Sequence, residues 1–173
     1  MSLHIIIDGY NLIRQSSRLS RLDVQDIQLG REALVDMLAA YKKFKAHRIT
    51  VVFDGSGLPL LSRQRDRQKG ITIVYSQTGE SADAVIKKMA RREGAKALVV
   101  SSDQEIVHAA ASWDAATISA RDFESKLEIS LYMNDAQFEG EDQAGWTPTT
   151  RKKGPRKRLS KKERHNRAKL RKL

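Results

Sequence analysis

The sequence predicts a three-layer α/β fold: a central, mainly parallel sheet of five strands with helices on both faces. Three observations carry that prediction. Apolar segments of strand length alternate with segments whose apolar residues recur at helical spacing. The strand segments are continuous apolar runs, as in a sheet covered on both sides, rather than the one-in-two alternation of a half-solvated sheet. Several strands also end in acidic residues, and in such folds ligands sit beyond the carboxyl ends of the strands.

Residues 3–8 begin the series, three isoleucines running straight into Asp8, Gly9, Tyr10 and Asn11. Residues 26–47 read as a long helix, with Ile27, Leu34, Met37, Leu38, Tyr41 and Phe44 on one side. The second strand spans 49–53 and ends on Asp54-Gly55, and 56–70 reads as an irregular connection. A third strand at 71–75 leads to a helix over 82–92, whose inner side is Ala82, Val85, Ile86 and Met89. A fourth strand at 97–100, a helix at 104–111, a short fifth strand at 115–118 and a helix at 122–133 complete the body, residues 1–134. Residues 135–150 are polar with Gly140, Gly145 and Pro148, and read as a linker.

The charge is concentrated. Of the 32 Lys and Arg, 13 lie in residues 151–173 with one acid, Glu163, which leaves 19 bases against 20 acids in residues 1–150. A block of like charge repels itself, so this tail is expected to stay disordered until it meets a polyanion, with some helix from Ser160 onward. The bland reading is a solubilising tail. The sharper reading, contact with nucleic acid phosphates, follows from the density of charge.

Cysteine is absent, so disulfides and thiolate metal sites are excluded. His4, His47, His108 and His165 are scattered without ligand-like spacing, which argues against zinc. No apolar run reaches the length that crosses a bilayer, and Asp8 interrupts the N-terminal apolar stretch too early for a signal peptide. A cytoplasmic protein without membrane contact is expected. There is no Gly-rich phosphate loop and no GxSxG elbow. An aspartyl-phosphate phosphatase carries a second Asp two positions after the first strand's Asp, and Tyr10 stands there.

Asp8, Asp54 and Asp103 follow strands, and Glu80 and Asp83 open the helix after the third strand, so all five are expected on one edge of the sheet. Each has a structural alternative. Asp83 suits the first turn of a helix, Ser102 and Glu105 have capping-box spacing, and Asp54-Gly55 suits a turn. Asp8 needs a partner, since no helix has to begin on it. Converging carboxylates call for a compensating cation, and an all-oxygen donor set fits Mg²⁺ or Mn²⁺.

Four segments in order, IIIDGYNLI, VVFDG, ESADAVI and VVSSDQEI, resemble the YacP-like branch of the NYN group of PIN-like nucleases. The resemblance covers about residues 3–133 and implies a PIN-like three-layer fold with the first and fourth strands adjacent at the switch point. It implies a metal-dependent endoribonuclease that leaves a 5′ phosphate and a 3′ hydroxyl. It matches Asp8, Asp83 and Asp103 to the acidic metal cluster, Asn11 and Ser102 to supporting polar positions, and Asp54 and Glu80 to additional ones. Asp122 has a simple capping role and stays outside the cluster. Gly9 is expected to allow close approach or positive φ.

Arg63, Arg65, Arg67 and Lys69 lie in the predicted loop beyond Asp54 and are expected beside the acids, either as a solvated loop or as Arg forks that position the RNA backbone. Arg151, Lys152, Lys153, Arg156, Lys157 and Arg158 supply further phosphate contacts from the tail. The expected partner is single-stranded RNA, with mRNA on the ribosome implied by the resemblance alone. The rival is a non-catalytic RNA- or ribosome-binding protein on the same body.

Overall fold

A computed structural model describes residues 2–55, 64–138 and 160–173. The expected contacts at Arg63, Arg151, Lys152, Lys153, Arg156, Lys157 and Arg158 lie outside the described residues.

The sheet forms around β1 (His4–Asp8), whose five residues are all buried. It lies between β2 (Arg48–Phe53) and β5 (Ala97–Val100), parallel to both. This is the adjacency of first and fourth predicted strands expected above. Beyond β2 come β4 (Ile71–Tyr75), parallel, and β3 (Gln64–Gln68), antiparallel. Beyond β5 lies β6 (Ala116–Ile118), parallel. The order is β3-β4-β2-β1-β5-β6.

Side chains alternate across the sheet, so β1 feeds two cores. Ile5 and Ile7 join Leu34, Leu38 and Tyr41 of α3 (Ile27–Phe44) and Phe123 and Leu127 of α6 (Ala120–Phe138) on one face. Ile6 joins Val85, Ile86 and Met89 of α4 (Ala82–Glu93) and Ile106 of α5 (Gln104–Ser112) on the other. None of the helices among the described residues is long and apolar enough to cross a membrane.

The structure departs from the sequence reading in three places. The sheet has six strands, because 64–68 is an edge strand and not an irregular connection. QRDRQ carries no apolar residue, and all five residues are exposed, so a search for buried runs passes over it. It is held by its ladder to β4 and by a turn in which Lys69 (φ 50°) and Gly70 (φ 81°) both take positive φ. Its charges blunt an otherwise open sheet edge.

Two unpredicted helices, α1 (Gly9–Gln15) and α2 (Ser17–Gln25), fill residues 9–25. Asp8 caps the first and Ser16 the second. Gly9 is needed for close approach: a Cβ there would stand 2.4 Å from the Phe53 ring. Helix α6 also runs to Phe138, past the expected body boundary.

The basic tail is partly helical from Ser160 onward, as the sequence reading expects. From Ser160 it forms α7 (Lys161–Leu170), opened by a capping box between Ser160 and Glu163. Asn166 clasps the open edge of β6, accepting from the Thr117 N–H at 2.9 Å and donating to its carbonyl at 3.2 Å. Lys169 donates to the Asp114 carbonyl, Tyr41 donates to that of Leu173, and the Leu173 side chain is buried in the core. Specific hydrogen bonds and one apolar anchor thus fix a segment that its charge alone would leave in solvent.

Candidate active site

Four parallel strands end at the same edge, and the chain leaves each of β1, β2, β4 and β5 there. A cleft of about 460 Å³ opens at that edge, lined by Asp8, Asn11, Asp54 and Asp83 together with Arg14 and Arg31.

Asp8 ends β1 and begins α1. One carboxylate oxygen accepts the Asn11 backbone N–H at 3.2 Å, and the other accepts the Ser101 hydroxyl at 3.3 Å. The expectation that no helix begins on Asp8 is therefore corrected: it is an N-cap. The cap is incomplete compensation. Burial pushes the Asp8 pKa up to about 6, and the charges of Asp83 and Asp103 push the same way, against the two hydrogen bonds.

Asp83 lies in the first turn of α4, as the helix-start reading expected. Burial raises its pKa, and Asp103, Glu105 and Asp54 add to the effect while Lys87 opposes it. Lys87 itself pairs with Glu105. Asp103 caps α5, accepting from the Glu105 N–H at 2.7 Å and the Ile106 N–H at 3.3 Å. This corrects the predicted capping box, in which Ser102 was the cap. Ser102 instead donates to Gln15 Oε1 at 3.0 Å and accepts from the Ala120 N–H at 3.2 Å, joining the starts of α6 and α5 to α1.

Asn11 does not turn its side-chain oxygen on a carboxylate. That oxygen accepts the Ser102 N–H at 3.0 Å and the Gln15 amide at 3.2 Å. Asn11 therefore braces the turn that carries Ser101 and Asp103, while its backbone orients Asp8. Asp54 lines the cleft and accepts from the Ser76 hydroxyl at 3.2 Å. Glu80 turns to Lys88 at 2.8 Å and is not part of the cleft wall. Asp122 is held by Ser119, consistent with the capping role.

The basic strand runs away from the acids. Gln64 pairs with Tyr75, at the end of β4 that faces the cleft, and Gln68 pairs with Ile71 at the far end. Arg65 is thus nearest the site, Arg67 is two residues further on, and Lys69 lies beyond the opposite edge, paired with Asp36. The expected position of Lys69 beside the acids is corrected.

Sequence reasoning missed Ser101, fully buried between Asp8 and the Asp103 backbone N–H. The signal was its place directly after the fourth strand run. It also missed Arg14 and Arg31, which sit on helices without any motif.

Among the described residues, no three acidic or histidine side chains enclose a metal ion as they stand. The donor set nevertheless fits Mg²⁺ or Mn²⁺. These ions keep several waters and use one or two carboxylates, and Asp8 is a buried carboxylate facing the charge of two more.

The YacP-like NYN domain matches residues 5–172 of this chain. The uncharacterised protein YacP of Bacillus subtilis (strain 168) is 26% identical over 87 residues, 50% of this chain and 51% of that one, so the chain spans about half the length of this relative. Two crystal structures of Rae1 (YacP) from Bacillus subtilis share the fold at 22% identity. One, of a mutant, gives a TM-score of 0.67 over 80% of this chain and 82% of its own; the other gives 0.63 over 80% of each.

Proposed function

This chain belongs to the YacP-like NYN family of PIN-like nucleases, and we propose that it is a divalent-metal-dependent endoribonuclease. The observation that carries this reading is the convergence of Asp8, Asp83 and Asp103: Asp83 and Asp103 both raise the cost of charge on Asp8, and Asp103 raises it on Asp83. A purely structural set of carboxylates would be balanced by Arg or Lys, as Glu93 is by Arg48 elsewhere in the molecule.

In this reading Asp8, Asp83 and Asp103 hold the ion. When bound, Mg²⁺ or Mn²⁺ supplies Lewis acidity toward the phosphate oxygens and the attacking water. Asn11 and Ser101 keep Asp8 oriented, and the α5 N–H groups fix one oxygen of Asp103. Water attacks phosphorus and the bond to the 3′ oxygen breaks. One proton of the water passes to solvent and the departing 3′ oxygen takes one from solvent, so the products are a 5′ phosphate and a 3′ hydroxyl. Single-stranded RNA is the proposed substrate, because an open cleft of this size admits a splayed strand more readily than a rigid duplex. The finer reading, mRNA cut on the ribosome in the cytoplasm, is supported by the family and by the 13 bases in residues 151–173.

One observation favours the rival, a non-catalytic RNA- or ribosome-binding protein: no ready-made three-ligand group stands among the described residues. Incubation of end-labelled RNA with Mg²⁺ or Mn²⁺, with and without ribosomes, separates the two. Internal cuts that are lost in EDTA and in Asp8→Asn are expected. RNA binding without cleavage in any condition would establish the rival.

A further inference from the structure

The same cleft also holds unpaired polar atoms. Two buried side-chain atoms among the described residues have no hydrogen-bond partner, Arg31 Nε and Asp23 Oδ1, and both residues line this cleft. A buried donor and a buried acceptor left unpaired are each costly, so a pair of them in one cleft points to where a ligand supplies the partners.

Arg31 is built into place. Its guanidinium stands 5.4 Å from the ring centroids of Tyr10, Phe53 and Tyr75, and it donates to the Tyr10 hydroxyl. The rings hold one another, Phe53 stacked on Tyr75 and edge-on to Tyr10. None of the ion pairs among the described residues involves Arg31. Aromatic faces therefore fix its orientation and leave its full charge to act on an anion. Arg14, above the Tyr10 ring at 5.7 Å, adds a second cation. Asp23 is held nearby, because α2 meets α3 where Gly30, next to Arg31, has no side chain; a Cβ there would lie 2.9 Å from the Asp23 Cβ.

We propose that Arg31 and Asp23 form a nucleotide subsite of the cleft. Arg31 takes an RNA phosphate adjacent to the one cleaved, and Asp23 accepts a hydrogen bond from a ribose hydroxyl or base amino group of the same nucleotide. The inference rests on the RNA reading above and adds the residues that position the strand. A phosphodiester is the matching chemistry, since its charge suits both parts of the cleft lining, the cation-seeking carboxylates and the planar Arg fork.

The test is equilibrium binding of a fluorescent single-stranded RNA, and of DNA of the same sequence, to the full chain in EDTA, so that no cleavage occurs. Arg31→Gln is expected to weaken RNA binding at least about tenfold, with Arg31→Lys intermediate because it keeps charge but loses the fork. Asp23→Asn, nearly isosteric, is expected to weaken it several-fold. A loss on RNA but not DNA identifies the ribose hydroxyl as donor, and equal losses identify the base. Thermal midpoints establish that each variant is folded. Binding within twofold of wild type in folded Arg31→Lys and Asp23→Asn would overturn the subsite, as would wild-type failure to bind either oligonucleotide at low salt. Cleavage measured separately distinguishes the two claims. No cleavage with an intact Arg31 effect on binding removes the nuclease and keeps the subsite. Cleavage with KM unchanged in Arg31→Lys does the reverse.

Discussion

Strand β1 begins and ends on a buried ionisable residue, and the two ends are opposites. His4 is 4% exposed and Asp8 is 9% exposed. His4 is fully partnered: Arg48 contacts Nδ1 at 2.5 Å, so Nδ1 accepts and the proton sits on Nε2, which donates to Thr50 at 2.8 Å. Glu93 then balances Arg48 at 2.6 Å. Burial, and next Arg48, lower the His4 pKa to about 4, against the pull of Glu93, which leaves a neutral ring in a closed network. At the other end, Asp8 has two hydrogen bonds and two like-charged neighbours, and its pKa moves up to about 6. Four residues apart on one strand, the first group is neutral with its partners in place, while the second is buried beside two like charges. That asymmetry separates a polar group that maintains the fold from one available for chemistry.

The largest expected effect breaks the acidic end. Asp8→Asn is predicted to lower metal-dependent RNA cleavage by at least about a hundredfold, read as initial rate under saturating Mg²⁺. Retained cleavage would remove Asp8 from the site. Breaking the opposite end acts on stability instead. His4→Ala should cost about 2–4 kcal/mol by denaturant unfolding, since it opens a cavity and strips Thr50 and Arg48 of their partner.

A pH series sharpens the contrast, because the two shifts have opposite signs. The folded pKa of Asp8 lies above its ordinary 3.8, so its charge penalises the fold above pH 6, and the penalty fades as pH falls toward 3.8. The folded pKa of His4 lies below 6.5, so protonation of the unfolded chain removes stability as pH falls from 6.5 to 4. Without metal, Asp8→Asn should therefore be the more stable protein by up to about 3 kcal/mol at pH 7, with the difference vanishing near pH 4. It should also lose stability between pH 6.5 and 4 more steeply than wild type, since the offsetting gain at Asp8 is gone. A difference that does not vary with pH would contradict the unbalanced charge. The smallest expected effect is Ser101→Ala, which deletes one donor to Asp8. It should move the acid limb of the cleavage profile upward by about half a pH unit.

Much of this site is legible in the sequence, and the reason is topological. In a parallel sheet every strand ends at the same edge, so acids after apolar runs, Asp8, Asp54 and Asp103, must assemble there. Asp83 follows from the first turn of the next helix. The cap assignments were less readable, because SSD offers three capping candidates in a row and tertiary contacts decide among them. Ser102 goes to Gln15 and Ala120, which leaves the cap to Asp103. Strand β3 and helices α1 and α2 escaped because their apolar content is low or irregular, and pairing and caps define them instead. Arg31 escaped altogether: its neighbours Tyr10, Phe53 and Tyr75 come from three separate elements and meet only in the folded chain.

The central claim is that the acidic end of β1 is unbalanced because a divalent cation belongs there. The most direct measurement is the thermal midpoint of the wild-type chain and of Asp8→Asn, titrated with Mg²⁺ or Mn²⁺ at pH 7. The account predicts that the wild-type midpoint starts lower and climbs saturably with the ion, while that of Asp8→Asn stays flat. Equal shifts in the two proteins, or none in either, would contradict it.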